Sequence, residues 1–179
     1  LRVHPTLIDE DSLIANVNGV MNAVMVNGDA VGSTLYYGAG AGAAPTASAV
    51  VADIIDVARM ISSPQSSVPA LAFQDDSLSD QAILPMDQVV SAYYLRISAM
   101  DKAGVLSDIT EILGECEINI EAIIQKAPRG ADANAQQVPV IILTHEVREA
   151  TMNEAIARIE ALEAVAEKVT RIRVFSTAE

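Results

Sequence analysis

Apolar and polar positions are most regular over residues 92–179. Residues 93–100 alternate as a strand does, one side chain to each face in turn. Val105, Leu106, Ile109, Ile112 and Leu113 then recur at helical spacing, and Gly114 falls near where that helix should stop. Two β-branched runs follow, at 118–125 and 138–144, separated by a stretch (127–137) that holds Pro128, Gly130 and small polar residues, as a hairpin loop does. Met152, Ala155, Ile156, Ile159 and Leu162 mark a second helix. Residues 169–175 close the series as a strand in which Val169, Ile172 and Val174 are interleaved with Arg171 and Arg173. Strand, helix, strand, strand, helix, strand is the ferredoxin-like arrangement.

The first 61 residues follow a different pattern. Residues 1–8 read as a strand already in progress. Runs at 20–26 and 31–37 flank Asn27-Gly28, a strong hairpin signal because both turn positions favour positive φ, and Asp29 and Ala30 extend the turn. A segment after Pro45 carries Val50, Val51, Ile54, Ile55 and Val57 on nearly all sides, which predicts a helix buried against a sheet. Residues 62–91 hold Pro64, Pro69, Pro85, many serines and Asp75-Asp76, and read as a linker in which Ala70-Leu71-Ala72-Phe73 forms an edge strand. The expected class is α+β in three parts: 1–61, a linker at 62–91, and 92–179.

Composition narrows the function. A net charge of −13 argues against nucleic acid and anionic membrane as partners. Hydrophobic residues make up 51% of the 179, enough for a true core, and with 3% aromatics that core is aliphatic. Cys116 stands alone, which rules out an internal disulfide and fits a reducing cytoplasm. No apolar run is long enough to span a bilayer.

The most distinctive motif is Gly38-Ala39-Gly40-Ala41-Gly42-Ala43-Ala44-Pro45-Thr46, leading into the apolar helix. Alternate glycines let a ligand approach the backbone, and the first N–H groups of a helix lack intrahelical partners and attract anions. The spacing is neither the dinucleotide fingerprint nor a Walker loop. Gly42 offers close approach, Thr46 its hydroxyl and a helix-start N–H, and Gly40 and Pro45 set the shape. Asp101-Lys102-Ala103-Gly104 sits between strand and helix, where Asp101 is placed to cap the helix and Gly104 to permit the turn. His4 and His145 lie too far apart to suggest a metal site and read as structural residues, with Asn16, Asn18 and Asn22 as structural supports. Cys116 reads as a small buried hydrophobe. Residues 149–167, rich in Glu, read as the solvated face of the second helix, with Arg148, Arg158 and Lys168 as local partners.

Two resemblances organise these signals. His4-Pro5-Thr6-Leu7-Ile8, Asn16-Val17-Asn18-Gly19-Val20-Met21-Asn22-Ala23-Val24 and the glycine loop through Asp53 resemble the C-terminal part of the catalytic region of homoserine dehydrogenases. Residues 93–97, Asp101 to Leu106 and 118–125 resemble an ACT regulatory domain, and bacterial members of that family place the two in this order. The resemblance implies reversible, NADP- or NAD-dependent reduction of aspartate 4-semialdehyde to homoserine. It places Gly40, Gly42, Pro45 and Thr46 beside the nicotinamide cofactor, and an amino-acid effector, expected to be L-threonine, at Asp101, Gly104 and Asn119. Ala103 stands where that family commonly has proline. The family's catalytic lysine has no match here, so no catalytic residue is assigned. The chain, which starts at Leu1, is expected to be an inactive, homo-oligomerising piece of a larger cytoplasmic enzyme whose nucleotide-binding domain lies upstream. A stand-alone amino-acid-binding or oligomerisation module is the alternative.

Overall fold

The strand that organises the C-terminal half is β4 (Val90–Met100), because its alternate residues Tyr93, Leu95, Ile97 and Ala99 are all buried on one face. The structure is a computed structural model and describes residues 2–62, 79–80, 82–125 and 137–175. In it β4 pairs antiparallel with β6 (Gln137–Thr144) on one side and β8 (Thr170–Val174) on the other. β5 (Ile120–Gln125) pairs antiparallel with β6, giving the order β8-β4-β6-β5. With α2 (Val105–Glu115) and α3 (Glu149–Glu160) this is the expected βαββαβ arrangement.

Both helices lie on the face that holds Tyr93 and Leu95. Val105, Ile109, Ile112 and Leu113 of α2 and Met152, Ala155 and Ile159 of α3 complete one aliphatic core with Val140 and Ile142. These are the i, i+3, i+4, i+7 positions that periodicity picks out, so the core follows from the pattern. Gly104, at φ +98, precedes α2 as its N-cap residue, and no side chain caps that helix; the capping role expected of Asp101 is absent. Chain geometry explains this, because a Lys102 to Met100 backbone hydrogen bond of 2.9 Å and the positive φ of Gly104 already form the turn.

Of the strand expected over residues 1–8 only two residues pair, and a second two-residue strand lies outside every expected span. β1 (Thr6–Leu7) runs parallel to β8, with Thr6 opposite Arg173 and Leu7 opposite Val174, and Phe175 N–H donates to the Leu7 carbonyl at 2.8 Å. β7 (Val147–Arg148) pairs with Val90 and Ser91 at the start of β4. The chain therefore divides into two compact units, one of Leu1–Asp9 with Ile83–Glu179, the other of Glu10–Ala82.

The described part of the second unit holds a short 3-10 turn (Leu13–Asn16), β2 (Met21–Gly28), β3 (Gly32–Ala39) and α1 (Ala43–Ser62). β2 and β3 form the expected hairpin, but Gly28 pairs with Gly32, so the turn is Asp29-Ala30-Val31 rather than Asn27-Gly28. The positive φ of +74 falls on Gly32, as in a three-residue loop closed by a left-handed glycine. Asn27 instead accepts a 2.6 Å hydrogen bond from the Ser33 hydroxyl.

The burial expected for α1 is not found. No described residue of this unit is buried, and Ile54 of α1 is 62% exposed. Among the described residues one helix and a two-stranded hairpin do not enclose a core, and the all-round apolar helix keeps its faces open there. The predicted edge strand at Ala70-Leu71-Ala72-Phe73 lies outside the described residues, as does most of the predicted hairpin loop at 127–137.

Candidate cofactor and effector sites

The glycine loop joins β3 to α1, and every residue from Gly38 to Thr46 is exposed. Its glycines differ in purpose. A Cβ on Gly40 would lie 2.0 Å from Asn22 Nδ2, so the missing side chain there makes room for Asn22 across the hairpin. Gly42 sits at φ +128, a conformation L side chains rarely adopt, and a Cβ there would touch the Pro45 ring at 3.4 Å. Pro45 occupies the first turn of α1, where it removes an N–H that has no helical partner. Thr46 N–H already donates to the Gly42 carbonyl at 3.1 Å. Of the two donors expected of Thr46, the hydroxyl is the one left for a ligand. An exposed loop with backbone laid bare at Gly42 ahead of a helix start fits the close approach of an anionic cofactor group.

Asp101, Gly104 and Asn119 are all exposed, but one sheet does not bring them together. Asp101 follows the end of β4, whereas Asn119 precedes β5, whose first pair is Ile120 with Thr144, beside the start of β4. Eight residues of strand separate the two levels, roughly 25 Å at about 3.3 Å per residue. Asn119 contributes its carbonyl to the His145 N–H at 2.9 Å, and its side chain makes no hydrogen bond among the described residues.

The tightest group of charges is one that the sequence reading passes over. Glu149 opens α3 and is 4% exposed, not on a solvated face. Its carboxylate accepts the Tyr93 hydroxyl at 2.6 Å and pairs with Arg173 at 2.5 Å and Arg171 at 3.0 Å. Arg171 also lies 5.7 Å over the Tyr93 ring and donates to Asn153. Burial alone would raise the Glu149 pKa, but hydrogen bonds from Arg173 and Tyr93 and the charge of Arg171 hold it below the usual carboxylate range. Burial, then the hydrogen bond to Glu149, pushes the Tyr93 phenol up to about 12. The signal in sequence is Arg171-x-Arg173, two cations at strand period on the face opposite Ile172.

The other expected local pairings also differ. Arg158 pairs with Glu115 of α2 and donates to the Cys116 sulfur at 3.7 Å, so Cys116 is half-buried against the core. Glu160 accepts the Val169 N–H at 2.8 Å. His4 bonds Thr6 at 2.9 Å, and Asn16 and Asn18 bond nearby carbonyls, as structural residues do.

Comparison with known proteins fits this layout. Residues 1–55 match the homoserine dehydrogenase family model and residues 93–164 the ACT domain model. A homoserine dehydrogenase from Pseudomonas aeruginosa is 63% identical across 97% of this chain, and one from Neisseria gonorrhoeae is 53% identical across 98%. The crystal structure of a homoserine dehydrogenase from Thiobacillus denitrificans superposes with a TM-score of 0.86 at 58% identity over 97% of this chain. The chain belongs to the homoserine dehydrogenase family. It spans 40% of the length of the two relatives named and 38% of the T. denitrificans chain. Within this homoserine dehydrogenase family chain, the ferredoxin-like unit carries the ACT domain. No described helix is long and apolar enough to cross a membrane.

Proposed function

We propose that this chain forms the C-terminal part of a cytoplasmic, NADP- or NAD-dependent homoserine dehydrogenase. The enzyme oxidises the alcohol of L-homoserine to the aldehyde of L-aspartate 4-semialdehyde, and the reverse. What supports this most is a single observation: the two family matches fall in order along one chain that is 63% identical over 97% of its length to such an enzyme. When bound, the nicotinamide would supply the hydride chemistry. Gly42 and the Thr46 hydroxyl line the cofactor's approach, while Gly40 and Pro45 fix the loop's shape. The group that moves the proton belongs to residues outside this chain, so the chain alone has no turnover.

The ACT domain senses an amino acid, and L-threonine is the effector expected. A ligand bounded by Asp101, Gly104 and Asn119 needs two copies of the domain, since one copy holds these residues at opposite ends of its sheet. An uncapped α2 start at Gly104 receives a carboxylate. Asn119 of the second copy completes the site.

The test is a chimera that fuses this chain behind the N-terminal part of the P. aeruginosa relative, assayed for homoserine-dependent NADP⁺ or NAD⁺ reduction. Activity from the chimera and none from the chain alone supports the proposal. A folded chimera inactive with both cofactors overturns it. Calorimetry of the chimera with L-threonine, against L-serine and L-isoleucine, should show selective saturable binding that Asn119→Ala weakens about tenfold, the loss of one good hydrogen bond.

A further inference from the structure

The ACT sheet has a second face, opposite the one on which α2 and α3 pack. Arg96 and Ser98 project there from β4, because Leu95, Ile97 and Ala99 are turned into the core. Arg96 lies directly opposite Thr170 of β8, and Ser98 opposite Pro139 of β6. Together with Gln137, Glu167 and Lys168 these residues line a hollow of about 380 Å³, roomy enough for a molecule of amino-acid size.

Three features make this hollow a built site. The first is an excess of donors. Ser98 donates to Gln137 Oε1 at 2.9 Å, which leaves the Gln137 amide nitrogen as a further donor in the lining. Arg96, Lys168 and the Thr170 hydroxyl add further donors, and Glu167 alone is restricted to accepting. The second is charge. The chain carries 24 acidic and 11 basic residues, and Arg96 and Lys168, like Arg2, Lys102 and Arg148, have no ion-pair partner among the described residues, so two uncommitted cations meet in this one hollow. The third is rigidity. The segment that carries Glu167 and Lys168 is held to the end of β4 by Met100 N–H to the Ala164 carbonyl at 2.8 Å and by an Ala99–Val165 bridge. Val169 N–H to Glu160 at 2.8 Å anchors it from the other side. Such a frame binds without first being ordered.

We propose that this hollow binds a small carboxylate, and prefers one that also bears an ammonium group. The Arg96 guanidinium offers a planar fork to the carboxylate, Lys168 adds a second positive charge, and Glu167 receives the ammonium. Phosphate, with two negative charges beside Glu167, fits less well. This hollow shares no lining residue with Asp101, Gly104 and Asn119 and rests on no part of the enzymatic proposal.

The probes are succinate and L-aspartate, which carry the same two carboxylates without and with the ammonium. Amide NMR shifts of the ¹⁵N-labelled 179-residue chain are followed at ionic strength matched with sodium chloride. We expect saturable shifts at Ser98, Lys168 and Thr170, and tighter binding of L-aspartate than of succinate. Arg96→Gln and Lys168→Gln should each weaken both ligands about tenfold or more, as for a lost charge-assisted hydrogen bond. Glu167→Gln should abolish the preference for L-aspartate, and Asn119→Ala should change nothing. Both cations are exposed, so their variants should keep the wild-type spectrum elsewhere. Shifts that sodium chloride reproduces, or binding indifferent to Arg96→Gln and Lys168→Gln, would overturn the site. A change of sedimentation in those variants with carboxylate binding intact would also overturn it, by assigning the cations to contacts between chains.

Discussion

Glu149 shows how one residue can carry the meeting point of three elements. It begins α3, its backbone N–H donates to Val89 ahead of β4 at 2.8 Å, and its carboxylate ties Tyr93 of β4 to Arg171 and Arg173 of β8. An isolated buried carboxylate would be costly, but here three donors surround it. Its folded pKa lies below its unfolded value near 4.3, so its contribution is present above that pH and is lost as pH falls through the folded pKa. Glu149→Gln leaves two largely buried guanidinium groups without a counter-charge and should cost about 3 kcal/mol at pH 7. In urea denaturation followed by circular dichroism, this deficit should shrink at acid pH, where the wild-type carboxyl takes up its proton. A deficit of equal size at both pH values would show that the charge is not what holds the cluster. Sequence alone could not place Glu149 here. It stands at the head of a Glu-rich run, and its partners lie 22 and 24 residues further on in a strand whose alternation does not say which face is covered.

At the scale of elements, what repeats was legible and what is short was legible only in part, β1 as two residues of the strand expected over 1–8 and β7 not at all. β4, α2, β5, β6, α3 and β8 all show apolar residues at their own period, and the structure finds each within a few residues of its expected span. β1 and β7 have two residues each, too few for any periodicity. Their pairing is decided by what lies beside them in space. The hairpin turn moved for a related reason, since Asn27-Gly28 and Gly32 both permit a turn and cross-strand register chose the second. β1 has a consequence for the sheet. It covers part of the β8 edge, which would otherwise present unpaired backbone groups to another chain. Deleting residues 1–9 should therefore raise the hydrogen-exchange rate of the Phe175 amide about tenfold or more, while the Leu95 amide in the central strand stays protected. Unchanged exchange at Phe175 would mean that β1 contributes no protection to this edge.

At the scale of the whole molecule, the two units differ in how well they satisfy themselves. The ACT unit closes a core of aliphatic side chains around Tyr93, whereas the 10–82 unit buries none of its described residues. Val24 and Tyr36 on the hairpin and Val50, Ile54 and Val57 on α1 are each about half exposed or more. The chemistry of the sequence was read correctly as apolar. What it could not convey is that the described residues of this unit do not cover those faces. Soluble monomers rarely leave contiguous aliphatic area of this extent open, and such surfaces mark contacts with other protein. We expect this chain to self-associate through α1 and the hairpin. Sedimentation velocity over a concentration series should show species larger than the 18.9 kDa monomer. Ile54→Asp with Val57→Asp should return the chain to the monomer and leave the ACT unit folded, because both positions lie outside it. A wild-type chain that sediments as a monomer at every concentration, and that does not bind a hydrophobic dye, would show that these aliphatic faces do not drive association.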